Sequence, residues 1–418
     1  MFDTKEQQEK MILLSVQEED GDDTKESLLE LEELAKTAGA KTVATFIQNR
    51  EKIHPATYIG KGKLEEVRDA IKEFHADCVA CDDELSPAQL SNLQEALHIK
   101  VIDRTIMILD IFTAHAFTKE GKLQVELAQL KYRSAHLIGL RDSLSRLGGG
   151  IGTRGPGEKK LEMDRRVIRE RISQLKAELR EMEQNRETMR KQSLESHLPM
   201  IALVGYTNAG KSTLLNQLTS ANVLAEDKLF ATLDPITKQF SLKNGQKVLI
   251  TDTVGFIRKL PHNLIEAFKS TLEYTKYADI LIHVVDTNNS QMDTQIQIVY
   301  DTLDKLHVKD KKILTAFNKC DLFLEQETTE DTKPILKDYR ADETVQIAAK
   351  TGMGLDILLE KLSKLILENY NYLEKVFPYK DAGKIQTIRE KGTLLSEEYT
   401  EDGIFVKAYI PKKLGYCE

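Results

Sequence analysis

MIALVGYTNAGKST, from Met200 to Thr213, joins an apolar run to a G-x-x-x-x-G-K-S pattern that spans Gly205 to Ser212. The apolar run predicts a buried strand, and LLNQLT directly after the pattern predicts a helix. Glycines at these places let backbone N–H groups turn toward phosphates, while Lys211 can reach the terminal phosphates and Ser212 can ligate Mg²⁺. The stretch therefore predicts an α/β domain that binds a nucleoside triphosphate with Mg²⁺.

AFNKCD, further along the chain, indicates which base is bound. It supplies an N-K-x-D pattern at Asn318, Lys319 and Asp321. A carboxylate at Asp321 can accept hydrogen bonds from both N1–H and the 2-amino group of guanine. Adenine offers neither donor there, so its binding would leave a charge uncompensated. We therefore expect GTP rather than ATP.

Three more stretches complete the candidate nucleotide site. LITDTVGF places Asp252 and Gly255 at the end of a predicted strand, where the carboxylate suits a water-mediated contact to Mg²⁺ and the amide suits the γ-phosphate. FATLD supplies Thr232, which by its order in the series would complete the metal shell, although a single threonine is usually a surface residue. IAAKTG, with Ala349 and Lys350, would close the guanine pocket with a backbone N–H to O6.

The candidate residues divide by role. The predicted catalytic residues are Lys211, Thr232 and Gly255. The predicted Mg²⁺ ligands are Ser212, Thr232 and, through water, Asp252. The residues predicted to contact GTP are Gly205, Tyr206, Thr207, Asn208, Ala209, Gly210, Lys211, Ser212, Thr213, Phe230, Ala231, Thr232, Leu233, Asp234, Asp252, Thr253, Val254, Gly255, Asn318, Lys319, Cys320, Asp321, Ala348, Ala349 and Lys350.

Length and composition limit the class of protein. A chain of 418 residues, 41% of them hydrophobic, is long enough for two or three domains. Its apolar runs are far shorter than the ~20 residues that span a bilayer, and its first ten residues are charged. Four cysteines without an even framework fit a reducing compartment. We therefore expect a cytoplasmic protein without a membrane span, and a monomer.

Cys78 and Cys81 form a C-x-x-C that could bind a metal or cycle as a dithiol. A zinc site needs a second Cys or His pair, and none follows nearby. Because the two cysteines lie in a strand-like run, DCVAC, packing is the favoured interpretation.

The first part of the chain alternates strand-like and helix-like runs, which favours a parallel sheet. The predicted strands are MILLSV, KTVATFI, ADCVAC and IKVID, and the predicted helices lie near 27–38, 62–74 and 86–96. Ser86-Pro87 is typical of a helix cap followed by the first helical residue.

Two long helices with narrow apolar seams are predicted next. The seams are Leu123, Leu127 and Leu130 before a glycine-rich stretch, and Ile168, Ile172, Leu175, Leu179 and Met182 after it. Two such seams predict an antiparallel hairpin with residues 148–157 at its tip. Gly150, Gly152 and Gly155 in this tip spell G-x-G-x-x-G, yet helix-like sequence precedes them, whereas a dinucleotide fingerprint follows a strand.

The fold class is multidomain α/β. We expect an N-terminal parallel α/β domain over 1–117, a helical hairpin over 118–195, a GTP-binding domain over 196–370 with a mostly parallel sheet covered on both faces, and a small C-terminal domain over 371–418. In the last, KIQTIRE, TLLSEEY and GIFVKAYI predict a small antiparallel sheet.

The net charge of −8 argues against a simple nucleic-acid binder, but the charge is unevenly distributed. Residues 131–191 contain 16 Lys and Arg against 9 Asp and Glu, a net charge of +7, which leaves −15 on the rest. A basic arm on an acidic body indicates a polyanionic partner that one surface contacts.

The order of motifs over 200–370 resembles the translation-factor-related GTPases, and the chain as a whole is similar to the HflX family of ribosome-associated GTPases. The second resemblance is carried by YIGKGKLEEV (58–67), DELSPAQL (83–90), DRTIMILDIF (103–112), EGKLQVELAQLKY (120–132) and RLGGGIGTRGPGE (146–158), followed by LE-x-DRR (161–166).

The resemblance implies a GTP switch that docks on the large ribosomal subunit and acts in splitting or rescue of stalled ribosomes, or in their biogenesis. It also implies that the glycine loop meets ribosomal RNA near the peptidyl transferase centre. Glycines permit close approach to a nucleic-acid backbone, and basic side chains pair with phosphates. The candidate RNA contacts are Arg146, Gly148, Gly149, Gly150, Arg154, Lys159, Lys160, Arg165 and Arg166.

Several positions carry or change this resemblance. Phe256 stands where related enzymes have the glutamine that orients water, so intrinsic hydrolysis should be slow. Asn208 resembles an asparagine that helps to hold K⁺ beside the phosphates in several GTPases of this type. Lys159 and Lys160 replace the Thr-Gln pair of many family members, and Ala348 replaces a serine that braces the guanine loop.

Two alternatives remain open at this point. A GTPase of tRNA modification would share Asn208 and Phe256 and carries a cysteine near its C-terminus, as Cys417 does, but the surrounding signature is missing. A pure RNA-binding module with a degenerate nucleotide site is disfavoured because four residues are intact: Lys211, Ser212, Asp252 and Asp321.

Overall fold

The computed structural model describes residues 8–18, 23–147, 156–195, 198–219, 228–259, 261, 264, 274–324 and 336–412. The chain forms two compact units. The first comprises Met1–Glu181, Lys228–Phe230 and Arg258–Phe268, and the second comprises Met182–Asp227, Ala231–Ile257 and Lys269–Glu418. None of the described helices is both long and apolar enough to cross a lipid bilayer.

The first unit contains a four-stranded parallel sheet in the order β2-β1-β3-β4. Its strands are β1 (Lys10–Gln17), β2 (Lys41–Asn49), β3 (Cys78–Cys81) and β4 (Lys100–Asp103). They alternate with helices α1 (Thr24–Thr37), α2 (Lys61–Phe74), α3 (Pro87–Leu97) and α4 (Arg104–His115). The predicted parallel α/β arrangement is confirmed.

Local signals in this unit act as expected. The Ser86 side chain accepts a hydrogen bond from the Gln89 backbone N–H, the Gln89 side chain accepts one from the Ser86 backbone N–H, and Pro87 is the first helical residue. Cys78 and Cys81 are fully buried free cysteines. Burial raises the pKa of the Cys78 thiol to about 11, which keeps it protonated. Packing accounts for both thiols, and the described residues contain no cluster of His, Cys, Asp and Glu suited to a metal.

A cluster of polar groups fills the carboxyl ends of β3 and β4. Asp82 is fully buried and accepts hydrogen bonds from Ser27, Arg104 and Lys259 at 2.6–2.8 Å. Asp103 accepts from the Tyr132 hydroxyl and from the backbone N–H groups of Leu85 and Ile106, at 2.9–3.1 Å. Arg104 also pairs with Glu30. These carboxylates are thus satisfied within the unit.

Two long helices, α5 (Lys119–Leu147) and α6 (Pro156–Glu195), follow this sheet in the chain. Arg171 on α6 pairs with Glu126 on α5 through two hydrogen bonds of 2.7 and 2.9 Å, and Arg165 donates to the Leu137 carbonyl at 3.0 Å. Earlier residues of α6 thus meet later residues of α5, so the helices run antiparallel as predicted. Leu175 in the predicted seam is fully buried.

The second unit is built on a six-stranded sheet in the order β10-β9-β8-β5-β7-β6, in which only β6 runs antiparallel. Its strands are β5 (Met200–Gly205), β6 (Ile236–Ser241), β7 (Lys247–Asp252), β8 (Ile280–Asp286), β9 (Lys312–Asn318) and β10 (Glu343–Gln346). Its helices are α7 (Lys211–Thr219), α8 (Met292–Lys305), α9 (Asp321–Leu324) and α10 (Leu355–Leu367).

The C-terminal part of this unit is a three-stranded antiparallel sheet in the order β11-β13-β12. It consists of β11 (Tyr370–Phe377), a 3₁₀ turn (Tyr379–Asp381), α11 (Ala382–Lys391), β12 (Thr393–Thr400) and β13 (Gly403–Pro411). The antiparallel sheet is confirmed, but the prediction of KIQTIRE as a strand is wrong. Ile385 and Ile388, three residues apart, are both buried on one face of α11, and a run of seven residues did not distinguish the two periods.

Candidate nucleotide-binding site

The candidate site lies at the carboxyl ends of the strands of the six-stranded sheet, where open parallel sheets bind ligands. β5 ends at Gly205, and α7 begins at Lys211 after the loop 206–210. Gly205 has φ +154° and Gly210 has φ +95°. A Cβ on Gly205 would lie 2.2 Å from the Val284 carbonyl oxygen, and one on Gly210 would lie 2.2 Å from Asn318 Nδ2. The loop therefore requires glycine at both ends.

Lys211 is buried inside this loop. Its Nζ donates to the carbonyl oxygens of Tyr206 at 2.7 Å and Gly205 at 3.2 Å. Burial lowers the pKa of Lys211 to about 8, and the nearby Asp252 carboxylate acts in the opposite direction. Two neutral carbonyl oxygens leave the charge of this ammonium group uncompensated in a low-dielectric site. An anionic partner would therefore stabilise it.

Three oxygen-bearing side chains predicted to hold a metal meet beside the loop. Ser212 Oγ lies 2.6 Å from Asp252 Oδ2 and 2.9 Å from Thr232 Oγ1. Asp252 is fully buried, burial raises the pKa of its carboxyl group, and its Oδ1 has no hydrogen-bond partner among the described residues. Hydroxyl and carboxylate oxygens are the ligands that Mg²⁺ prefers. The donor set therefore fits a hard divalent cation.

The D-x-x-G segment pairs with the phosphate loop through its backbone. The Thr207 N–H donates to the Phe256 carbonyl at 2.8 Å, and the Phe256 N–H donates to the Gly205 carbonyl at 3.1 Å. A Cβ on Gly255 would lie 2.8 Å from Thr207 Cα and 3.0 Å from Lys211 Nζ. Phe256 itself is 1% exposed. Its side chain is part of the core and has no access to a water molecule at the site.

Asn318 connects the phosphate loop to the guanine loops. It is buried, donates from Nδ2 to the Ala209 carbonyl at 2.8 Å, and accepts at Oδ1 from the Ala349 N–H at 2.8 Å. The Ala349 N–H is thus engaged by Asn318, so the next backbone donor toward a base is that of Lys350. The motif placed Asn318 in the site, but its two long-range bonds carry no local sequence signal.

Lys319 and Asp321 follow at the end of β9. Lys319 has φ +65° and donates to Asp286 Oδ2 at 2.6 Å, which fixes the position of its ammonium group. Asp321 is half-buried at the start of α9. Asp286, the last residue of β8, was not predicted as a site residue. Its place at the carboxyl end of a buried strand was the available signal.

The remaining predicted contacts are arranged around this centre. Thr253 is buried, with its hydroxyl bonded to the Leu203 carbonyl at 2.7 Å, and Asn208 has φ +60°. Phe230, in contrast, belongs to the first unit, where its ring packs edge-to-face on Phe112 at 4.7 Å. The other predicted contacts that lie among the described residues are Thr213, Ala231, Leu233, Asp234, Val254, Cys320 and Ala348.

The candidate RNA contacts are only partly described. Arg166 is exposed and pairs with Glu170 one turn along the helix at 2.9 Å, whereas Arg165 reaches the Leu137 carbonyl of α5. The rest lie outside the residues or side chains that the structure describes: Arg146, Gly148, Gly149, Gly150, Arg154, Lys159 and Lys160. Cys417 also lies outside the described residues.

Three family models match consecutive parts of the chain. They are described as GTP-binding GTPase N-terminal over residues 25–113, GTP-binding GTPase Middle Region over 115–193, and 50S ribosome-binding GTPase over 200–319. The site and these matches define the chain as a P-loop GTPase, an enzyme that converts GTP to GDP and phosphate.

Comparison with curated relatives assigns the chain to one family of P-loop GTPases. A GTPase HflX from Lacrimispora saccharolytica is 60% identical over 99% of this chain and 96% of its own length, and one from Escherichia coli K12 is 40% identical over 87% and 84%. The chain belongs to the GTPase HflX family. Among solved structures, a GTP-binding protein from Sulfolobus solfataricus in complex with GDP is 25% identical, with a TM-score of 0.44 over 86% of this chain and 99% of that one.

Proposed function

We propose that this GTPase is a cytoplasmic, monomeric switch that binds the large ribosomal subunit in its GTP form and leaves after hydrolysis. It acts in splitting, rescue or biogenesis of ribosomes. The observation that carries the switch is the 2.9 Å contact between Thr232 and Ser212, because it attaches the segment that follows α7 to the metal-binding oxygens. With GTP bound, the γ-phosphate and the metal would hold Thr232 at this position, and loss of the γ-phosphate removes that hold.

Ser212 and Thr232 would hold Mg²⁺ directly, and Asp252 would hold it through water. Bound Mg²⁺ neutralises charge on the β- and γ-phosphates. Lys211 exchanges its two carbonyl partners for phosphate oxygens, and the Gly255 N–H donates to the γ-phosphate. We assign Lys211 and Gly255, with Thr232, the central part in stabilising the charge that develops during hydrolysis.

Intrinsic hydrolysis is slow because the chain lacks a side chain that orients water at position 256. Phe256 is 1% exposed and its backbone is tied to the phosphate loop. The ribosome then supplies the missing stimulation. Asn208 at its positive φ is the candidate K⁺ ligand, and turnover measured in K⁺ against Na⁺ buffers checks it. Equal rates in the two buffers remove the K⁺ assignment.

The basic hairpin is the surface that meets ribosomal RNA. The support comes from the net charge of +7 over 131–191 and from the description of the family that matches 200–319 as a ribosome-binding GTPase. Arg166 is a phosphate contact within reach, because its side chain is 82% exposed. Counterion release makes such binding strongly dependent on salt.

Sedimentation with 50S subunits tests the proposal. We expect more protein in the ribosomal pellet with a non-hydrolysable GTP analogue than with GDP. A Thr232→Ala variant should lose this difference while it still binds GDP, and Thr237→Ala on β6 serves as the matched control. Equal sedimentation of the parent protein with both nucleotides contradicts the switch.

A further inference from the structure

A cavity of about 390 Å³ lies in the second unit, away from the nucleotide site. We call it the junction cavity, because the six-stranded sheet and the C-terminal three-stranded sheet both line it. Met200 and Ile280, the first residues of β5 and β8, line it together with Tyr370, the first residue of β11, and Pro411, the last of β13.

The junction cavity lies at the amino ends of the strands, and the proposed GTP site lies at their carboxyl ends. β5 begins at Met200 in the cavity wall and ends at Gly205 in the phosphate loop. At ~3.3 Å per residue, these two positions are about 17 Å apart. A ligand in the junction cavity is therefore separate from the guanine nucleotide, and no residue assigned to GTP lines the cavity.

The cavity is lined by both apolar and cationic side chains. Ile280 and Ile366 are buried and line it. Lys276, Lys311 and Lys412 also line the cavity. Within the described part of the chain, Lys276 and Lys412 have no carboxylate partner. This excess of ammonium groups, in a chain with a net charge of −8, favours an anionic ligand.

Two tyrosines add flat surfaces to this wall. Tyr277, which is 44% exposed, and Tyr370, the first residue of β11, both line the cavity. Burial raises the pKa of the Tyr370 hydroxyl to about 12, so the ring stays neutral. Asp279 in the same wall is engaged by the Met200 N–H at 2.9 Å. Aromatic faces beside ammonium groups suit a planar ring that carries a phosphate.

We propose that the junction cavity binds one unpaired nucleotide of RNA, with its base against the tyrosines and its phosphate at the lysines. The volume lies at the small end of the range for ligand pockets, about 300–1,000 Å³, which suits a single base rather than a length of polypeptide. The choice of RNA as the source of the nucleotide rests on the proposed ribosomal function. The site is a second RNA contact, distinct from the basic hairpin.

Photocrosslinking tests the site directly. The full-length protein, with GDP and Mg²⁺ bound, is mixed with a hexauridylate that carries one 4-thiouridine, and the crosslinked peptides are identified by mass spectrometry. We expect crosslinks at Tyr277 or Tyr370 in addition to any at the hairpin. Crosslinks at the hairpin alone overturn the proposal.

Charge variants measure the part played by the lysines. The double variant Lys276→Glu, Lys412→Glu should weaken oligonucleotide binding about tenfold, because two phosphate contacts become repulsive. Lys238→Glu, Lys384→Glu is the matched control, with the same charge change at exposed residues outside the cavity, and should bind like the parent. Equal affinity of the two double variants overturns the assignment. GDP affinity serves as the measure of folding.

Competition identifies the source of the ligand. If uridine monophosphate displaces the tyrosine crosslinks as well as the oligonucleotide does, at equal nucleotide concentration, the result supports the nucleotide chemistry. The ligand is then a free nucleotide. Displacement by a Glu-Tyr peptide but not by uridine monophosphate overturns the RNA assignment. Sedimentation of the charge variants with 50S subunits is scored separately, so that failure of the ribosomal proposal alone leaves the crosslinks intact.

Discussion

Asp82 in the four-stranded sheet and Asp252 in the six-stranded sheet both stand at the carboxyl end of a parallel strand, and both are fully buried. Asp82 is surrounded by Ser27, Arg104 and Lys259, which donate to it. Within the part of the chain that the structure describes, one carboxylate oxygen of Asp252 has no hydrogen-bond partner. The polar side chains at the strand ends of the first sheet thus satisfy one another's hydrogen bonds. Those of the second sheet need a ligand to complete theirs.

The difference separates a scaffold from a site. A buried carboxylate with all its partners in the chain stabilises the fold, whereas one with an unused oxygen costs free energy until a ligand arrives. Lys211, held only by two carbonyl oxygens, is in the same condition as Asp252. Unused hydrogen-bonding capacity at a strand end therefore distinguishes the functional sheet from the structural one more clearly than topology does.

The largest expected effect is on the free energy of unfolding, and it distinguishes Asp82 from Asp252. Asp82→Asn removes the charge that faces buried Arg104, so we expect the free energy of unfolding to fall by about 3 kcal/mol. Asp252→Asn should stay within about 1 kcal/mol of the parent in nucleotide-free protein, since it removes an incompletely satisfied carboxylate. Urea unfolding followed by circular dichroism measures both. Similar losses in the two variants would sink the distinction.

A second test concerns the carboxylate reserved for guanine. Asp321→Asn should weaken GTP binding by roughly 1.5–3 kcal/mol, or about 10–150-fold, because charged hydrogen bonds to the base are lost. Xanthosine triphosphate, with a carbonyl in place of the 2-amino group, should bind the variant better than it binds the parent. Calorimetric titration gives both affinities. Unchanged preference among GTP, ATP and xanthosine triphosphate counts against Asp321 as the base reader.

The effect of pH on Lys211 is smaller. With a pKa of about 8 in the free protein, Lys211 loses its proton as the pH rises, and only the protonated form pairs with phosphate. GDP affinity should therefore fall about fourfold between pH 7.0 and 8.5. Lys211→Arg is the control, because arginine does not titrate in this range. An equal pH dependence in that variant would assign the effect to another group.

The smallest expected effect lies on the hairpin, where charges are partly exposed. Arg171→Ala removes the two-bonded pair with Glu126 between α5 and α6, and should lower the free energy of unfolding slightly. Arg166→Ala removes a more exposed pair within α6 and should lower the free energy of unfolding less than Arg171→Ala does. Thermal unfolding ranks them. The reverse order would mean that the pair between the helices does not hold them together.

Much of the candidate site could be predicted because its signals are local. The phosphate loop and the N-K-x-D pattern each lie directly after a strand, so a short window contains the whole signal. Thr232 was predicted from its order in the series alone, and its hydroxyl does lie beside Ser212. The packing of Phe230 on Phe112 depends on residues far apart in the chain, which no local pattern contains.

The fold was predictable to a similar degree. Alternating runs predicted the parallel sheet of the first unit, Ser86-Pro87 predicted the start of α3, and the seam around Leu175 predicted the antiparallel helices. KIQTIRE was misassigned because spacings of two and three residues coincide over such a short run, and only burial of Ile385 and Ile388 distinguishes them. The division into four domains stays a prediction.

The position of Asn318 determines how a substitution there would affect ligand binding. One amide group bridges the loop for the triphosphate and the loop for the base, so both ends of the ligand depend on a residue that need not touch either. Truncation of the Asn318 side chain would weaken the binding of guanosine and of inorganic triphosphate in parallel. A substitution at this position would therefore resemble a general loss of nucleotide binding, although its cause is the loss of the hydrogen bonds of one side chain.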